Sequence, residues 1–123
     1  MTLAEAIYRI DEVKPNGCSQ SEKIKWLSTL DGMIKTEIID THEGHEDITF
    51  RGYNDNTAED TPLLVGAPYD DLYLKWLESR IDYTNGEYGK YNNSATAFNE
   101  IYSQYSRYYN RTHMPIQRGK FKF

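Results

Sequence analysis

The sequence predicts a mostly α-helical, four-helix, bundle-like domain, and three observations carry the prediction. Apolar residues recur at spacings of three and four in four separate segments, the period of one helix face. Residue types that start and stop helices bracket those segments. The one long stretch without the period, residues 42–67, is rich in Asp, Glu, Asn, Gly and Thr and reads as a long central loop or a short β-hairpin. At 123 residues the length fits one domain, expected over residues 1–114 with an extended basic C-terminal tail over 115–123.

The first helix is expected over residues 2–14. Thr2 caps it and Glu5, three residues on, completes a capping box, while Leu3, Ala6, Ile7 and Ile10 share a face. Pro15-Asn16-Gly17 ends it, because proline cannot continue the ladder and Asn-Gly favours a turn. The second helix is expected over residues 20–41, with Ser19 and Glu22 as another capping box and Leu27, Leu30, Ile34 and Ile38 as its apolar stripe. Gly32 inside it points to a close helix crossing or a bend.

In the central stretch, Ile48-Thr49-Phe50-Arg51-Gly52-Tyr53 alternates in a strand-like way, and Leu63-Leu64-Val65 is a second apolar run, so one or two short strands are expected. Pro68 suits the first turn of a third helix, with Asp70 and Asp71 at its positive end. Leu72, Tyr73, Trp76, Leu77 and Ile81 carry that helix to about Thr84, and Asn85-Gly86 stops it. The fourth helix has the strongest pattern. Tyr88, Tyr91, Ala95, Phe98, Tyr102, Tyr105 and Tyr109 are spaced 3, 4, 3, 4, 3, 4, a heptad seam. It starts at Glu87 or, if Asn92-Asn93-Ser94 interrupts it, at Ser94, and Pro115 ends it.

Composition bears on function. Hydrophobic residues make up 38% of the chain, and 11 of its residues are Tyr. Mean hydropathy is −0.79. A short chain with few aliphatics and many Tyr points to burial completed by partner subunits, since Tyr has an apolar ring and a polar tip. The net charge of −5 argues against a protein whose main task is gripping phosphates. The charge is uneven: from Ile101 on there are five basic residues and no acidic one. Such an arm suits an acidic partner surface. The candidate interface residues are therefore Tyr102, Tyr105 and Tyr109 on the seam, with Arg111, Arg118, Lys120 and Lys122 beyond it.

No catalytic, metal or cofactor site is expected. The run His42-Glu43-Gly44-His45-Glu46 spaces its histidines by three, where a helical zinc-protease pattern needs four, and reads as a solvated acidic loop. Asp70 and Asp71 are adjacent helix-start residues and do not face one another as paired acid and base must. The lone Cys18 excludes an internal disulfide. Two glycosylation-type triplets, Asn92-Asn93-Ser94 and Asn110-Arg111-Thr112, fall in helical sequence. No stretch approaches the roughly 18 apolar residues that span a bilayer. The chain opens directly on helix-like sequence without a signal pattern, so it is expected to be complete and cytosolic.

Several runs carry a resemblance. Thr61-Pro62-Leu63-Leu64-Val65-Gly66-Ala67-Pro68-Tyr69-Asp70-Asp71-Leu72-Tyr73, Ile81-Asp82-Tyr83-Thr84-Asn85-Gly86-Glu87-Tyr88, Tyr91-Asn92-Asn93-Ser94 and Tyr108-Tyr109-Asn110-Arg111-Thr112-His113-Met114-Pro115 resemble small proteins of tailed-phage and prophage structural gene clusters. The opening Thr2-Leu3-Ala4-Glu5-Ala6-Ile7 and the run Trp26-Leu27-Ser28-Thr29-Leu30-Asp31-Gly32 look like the same group. Within it the chain is most similar to head–tail connector, or adaptor, proteins. The resemblance implies a non-enzymatic helical subunit of a homo-oligomeric ring at the virion neck, assembled in the host cytoplasm. Its partners would be the portal protein above and a neck or tail protein below, with DNA only as passing cargo and no membrane. Another neck or tail-completion protein is the alternative, and a small regulatory adaptor binding one protein through its aromatic face is the second.

Overall fold

The computed structural model describes residues 1–116, and its elements in chain order are α1 (Leu3–Val13), α2 (Gln20–Glu37), α3 (Asp71–Thr84) and α4 (Tyr88–Thr112). The sequence-predicted bundle-like helical architecture is present. The expected tail residues from 117 on, with Arg118, Lys120 and Lys122, lie outside the described residues.

Local chemistry explains the helix starts. Thr2 Oγ1 accepts from the Glu5 N–H at 3.2 Å and Glu5 Oε1 accepts from the Thr2 N–H at 3.3 Å, so the capping box is complete. At α2 the Ser19 hydroxyl accepts from the Glu22 N–H at 3.1 Å. α2 ends four residues before the expected Thr41, and a short 3₁₀ turn, Ile39–Thr41, follows. The Ile38 carbonyl is taken by side chains there, the Thr41 hydroxyl at 2.7 Å and the His42 ring at 2.6 Å, which removes it as an acceptor for further helix.

α3 is the central element. It packs against α1, α2 and α4, whereas α4 packs almost wholly on α3. Leu72, Tyr73, Leu74, Leu77, Ser79, Ile81 and Asp82 are all buried on it, more than one helix face. α1 runs parallel to α3: the Met1 ammonium lies 3.7 Å from Asp70 at one end, and Lys14 lies 2.7 Å from Asp82 at the other. α2 and α4 run the opposite way, their C-terminal ends joined by His42 Nε2, 2.7 Å from Asn110 Oδ1. α3 begins at Asp71, later than the expected Pro68. α4 runs unbroken through Asn92-Asn93-Ser94, because the Ser94 hydroxyl donates to the buried Asp82 at 3.0 Å and the polar run is absorbed into the packing.

Of the two alternatives expected for residues 42–67, the long central loop is present and the short β-hairpin is not. Among the described residues there is no β-strand, only the isolated bridges Thr2–Pro62 and His42–Pro115. The backbone of this segment bonds to itself only in local turns, such as Asn54–Thr57 and Ala58–Thr61, and its long-range partners are the start of the chain, side chains and Met114. The Leu3 N–H donates to Thr61 O at 2.9 Å, the Ala4 N–H to Glu59 O at 3.0 Å and the Leu63 N–H to Met1 O at 3.0 Å. Gly52, at φ 88°, breaks the strand-like alternation with left-handed backbone. The result is a strap laid along α2. Gly32 faces this strap and no helix crossing: a Cβ there would make ordinary van der Waals contact with the Phe50 ring at 3.7 Å, so the packing does not require glycine.

Candidate interaction surface

The tyrosine seam of α4 divides into an inner part and an outer part. Phe98, Tyr105 and Tyr109 are 6%, 5% and 5% exposed and belong to the core. Phe98 packs on Trp76 with ring centres 5.2 Å apart, Tyr105 meets Tyr69 at 5.7 Å, and Tyr109 lies between the edge of His42 at 4.8 Å and a stacked His113 at 3.8 Å. Tyr105 and Tyr109, expected at a subunit interface, are thus taken up by their own chain. Tyr102 is half-buried, and its hydroxyl donates to Glu37 at 2.8 Å. Burial first, then the Glu37 carboxylate, pushes the Tyr102 phenol well above its ordinary pKa. Arg111 is exposed on the opposite face of the helix.

Exposed aromatic surface lies where the seam leaves the core. At the α3–α4 turn Tyr83 is 55% exposed and Tyr88 61%. They form a cluster with Tyr91, the ring centres of Tyr83 and Tyr91 being 5.4 Å apart. The Arg80 guanidinium sits over Trp76 at 4.8 Å and beside Tyr91 at 5.6 Å. Its buried Nε has no hydrogen-bond partner among the described residues. Near the other end of α4, Tyr108 packs on Tyr69 at 5.1 Å and remains 36% exposed. Tyr, Trp and Arg in clusters are the residue types that anchor protein interfaces.

Sequence reasoning missed a buried polar clamp. Asp31 is fully buried on α2. Its Oδ1 accepts from the Tyr73 hydroxyl at 2.6 Å, and its Oδ2 accepts from the Tyr53 hydroxyl at 2.5 Å and the Leu64 N–H at 3.1 Å. Tyr73 Oη in turn accepts from the Val65 N–H at 2.9 Å. Burial raises the Asp31 pKa despite its three donors, and burial beside Asp31 raises both phenols far above their ordinary range. The clamp ties both arms of the strap to α2 and α3. A signal for it existed: Asp31 stands four residues after Leu27 and three before Ile34, on the apolar stripe.

The charged groups around the α3–α4 hollow are paired with one another. A hollow of about 260 Å³ between α3 and α4 is lined by Lys14, Lys75, Glu78, Asp82, Lys90 and Ser94. Lys14 pairs with Asp82 at 2.7 Å, Lys75 with Glu78 at 3.3 Å and Lys90 with Glu87 at 2.7 Å, so each ammonium has a carboxylate. The Lys14 contact is an ion pair, not a directed hydrogen bond to Asp82 Oδ1. His42 is buried and spans α2 and α4, while His45 stands beside Asp40 and Glu46. Among the described residues no group of three or more His, Cys, Asp or Glu is placed to hold a metal ion, and no helix is long and apolar enough to cross a membrane.

Comparison of the chain with family models, with curated proteins and with solved structures gives no match. The geometry defines a helical scaffold with exposed aromatic and charged faces and a closed polar interior.

Proposed function

We propose that the protein is a structural virion-assembly subunit, a head–tail connector or adaptor that binds below a portal and extends the DNA channel. The observation that supports this most is α4. It is 25 residues long and buries only Ser94, Phe98, Tyr105 and Tyr109 on its own chain. A helix of such length draws most of its stability from packing, and its outer face is left for other subunits. The resemblance of the sequence runs to phage neck proteins supplies the setting. In this reading the protein has no catalytic residues, and copies of it form a homo-oligomeric ring between the portal and the next neck or tail protein. The net charge of −5 suits a channel wall that repels passing DNA and lets it slide. It would act in the virion neck after assembling in the host cytoplasm.

Native mass measurement of the purified protein, alone and with a portal ring, tests the reading. Oligomers, or a stoichiometric complex with the portal, are expected. A protein that stays monomeric at every concentration and ignores the portal contradicts it. The Tyr83–Tyr88–Tyr91 cluster around Arg80 favours one other reading, a regulatory adaptor that binds a single protein there. That reading gains if Tyr83→Ala abolishes capture of a partner while self-assembly is absent.

A further inference from the structure

Two oppositely charged surfaces stand on different sides of the central helix. On α4, Arg107 and Arg111 are one turn apart and exposed, with Tyr108 between them, and no carboxylate lies within ion-pair distance of either among the described residues. Glu100 is the last acidic residue of the chain, so this end of the helix carries no compensating charge of its own. On the strap, Asp55, Glu59 and Asp60 are exposed within six residues that include no basic one. The strap corner is fixed in place: Ser21 donates to Asp55 at 2.8 Å, and the carbonyls of Glu59 and Thr61 accept from the first turn of α1. α4 packs on α3, whereas this corner is tied to α1 and α2, so one copy cannot bring its own two surfaces together.

Resting on the assembly reading above, we infer that the occupant of the outer C-terminal half of α4 is a second copy of this chain, docked through its acidic strap corner. Arg107 and Arg111 of one copy face Asp55, Glu59 and Asp60 of the next, and Tyr108 provides the apolar contact between them. Because the two surfaces differ, the contact is head-to-tail, and each copy uses both. That arrangement propagates, and it closes into a ring when the rotation per copy allows. A two-fold pairing of α4 against α4 is disfavoured, because it would set arginines against arginines.

The experiment uses the full chain and two double variants, R107E/R111E and E59K/D60K. None of the four side chains makes an ion pair or a hydrogen bond among the described residues, so circular dichroism and melting are expected to match the parent protein. By native mass measurement at low salt the parent protein forms oligomers. Each variant alone needs about a hundredfold more protein to do so, because like charges then meet across the contact. An equimolar mixture of the two variants regains assembly, each complementing the other on both faces. Parent-like assembly by either variant, or no recovery on mixing, overturns the interface and leaves the assembly reading standing. A parent protein that never oligomerises, with or without a portal ring, overturns both.

Discussion

Replacing Tyr73 by Phe removes one oxygen from the centre of the molecule and tests whether the Asp31 clamp holds the strap. The hydroxyl has two buried partners: it donates to Asp31 Oδ1 at 2.6 Å and accepts from the Val65 N–H at 2.9 Å. The ring stays, and Tyr73 is fully buried, so no water can replace the oxygen without local opening. Loss of a hydrogen bond to a charged group costs about 1.5–3 kcal/mol, and the orphaned Val65 N–H adds about 1–3 kcal/mol. Tyr73→Phe is therefore expected to lose about 3–5 kcal/mol at neutral pH, a large share of the roughly 5–15 kcal/mol available to a domain. Urea unfolding followed by circular dichroism reads the loss as a lower midpoint at unchanged slope.

The pH dependence gives a second, independent reading. Burial already raises the Asp31 pKa above the ordinary 3.8, and the Tyr73 hydrogen bond works against that rise. Without it the folded-state pKa moves higher still. A carboxyl whose folded pKa lies above its unfolded one contributes stability below the unfolded pKa and loses it as pH rises through the folded pKa. The deficit of Tyr73→Phe is thus smallest near pH 4 and grows toward neutrality. A variant within about 0.5 kcal/mol of the parent at neutral pH, the usual range for a surface substitution, would falsify the clamp. A large deficit that does not change between pH 4 and 7 would sink the role assigned to the buried carboxylate.

Other outcomes follow from burial and capping. Phe98→Ala, Tyr105→Ala and Tyr109→Ala should each cost about 3–5 kcal/mol, as deletion of a buried aromatic ring does. A parent-like melting curve for Tyr105→Ala or Tyr109→Ala would return that residue to the list of interface candidates. Tyr88→Ala, at 61% exposure, should stay within about 0.5 kcal/mol of the parent; a large loss by thermal melting would mean the exposed cluster is structural. Thr2→Ala removes the Oγ1 bond of the capping box, leaves the backbone bond from residue 2 to Glu5, and should cost about 1 kcal/mol by chemical denaturation. No change there would mean that α1 is started by its strap contacts alone.

Much of the helical layout was legible because its causes are local. The Thr2–Glu5 box, the Pro15-Asn16-Gly17 stop and the Asn85-Gly86 stop act within a few residues of themselves, and α1 and α3 end where those signals put them, to within a residue or two. The end of α2 was not legible, because it depends on His42, whose ring bridges to Asn110, 68 residues away in sequence. The choice between loop and hairpin in the strap was not legible for a similar reason. The alternation of Ile48 and Phe50 shows that one side is covered, but a covered side does not reveal whether the cover is a second strand or a helix.

The same division applies to the candidate surface. The heptad of tyrosines on α4 follows from spacing alone, since residues three and four apart share a helix face whatever the helix meets. Periodicity cannot say what lies against that face. Packing against α3, Tyr69 and His42 made Phe98, Tyr105 and Tyr109 core, and left Tyr88, Tyr108 and Arg111 outside. By itself, then, the sequence determined the existence of four helices, the N-caps of α1 and α2 and the aromatic seam, because hydrogen bonding and side-chain spacing within one helix are short-range. Only the tertiary structure decided where the strap runs, that Asp31 is buried beneath it, and which part of the seam a partner can reach, because burial depends on residues that the chain brings together from afar.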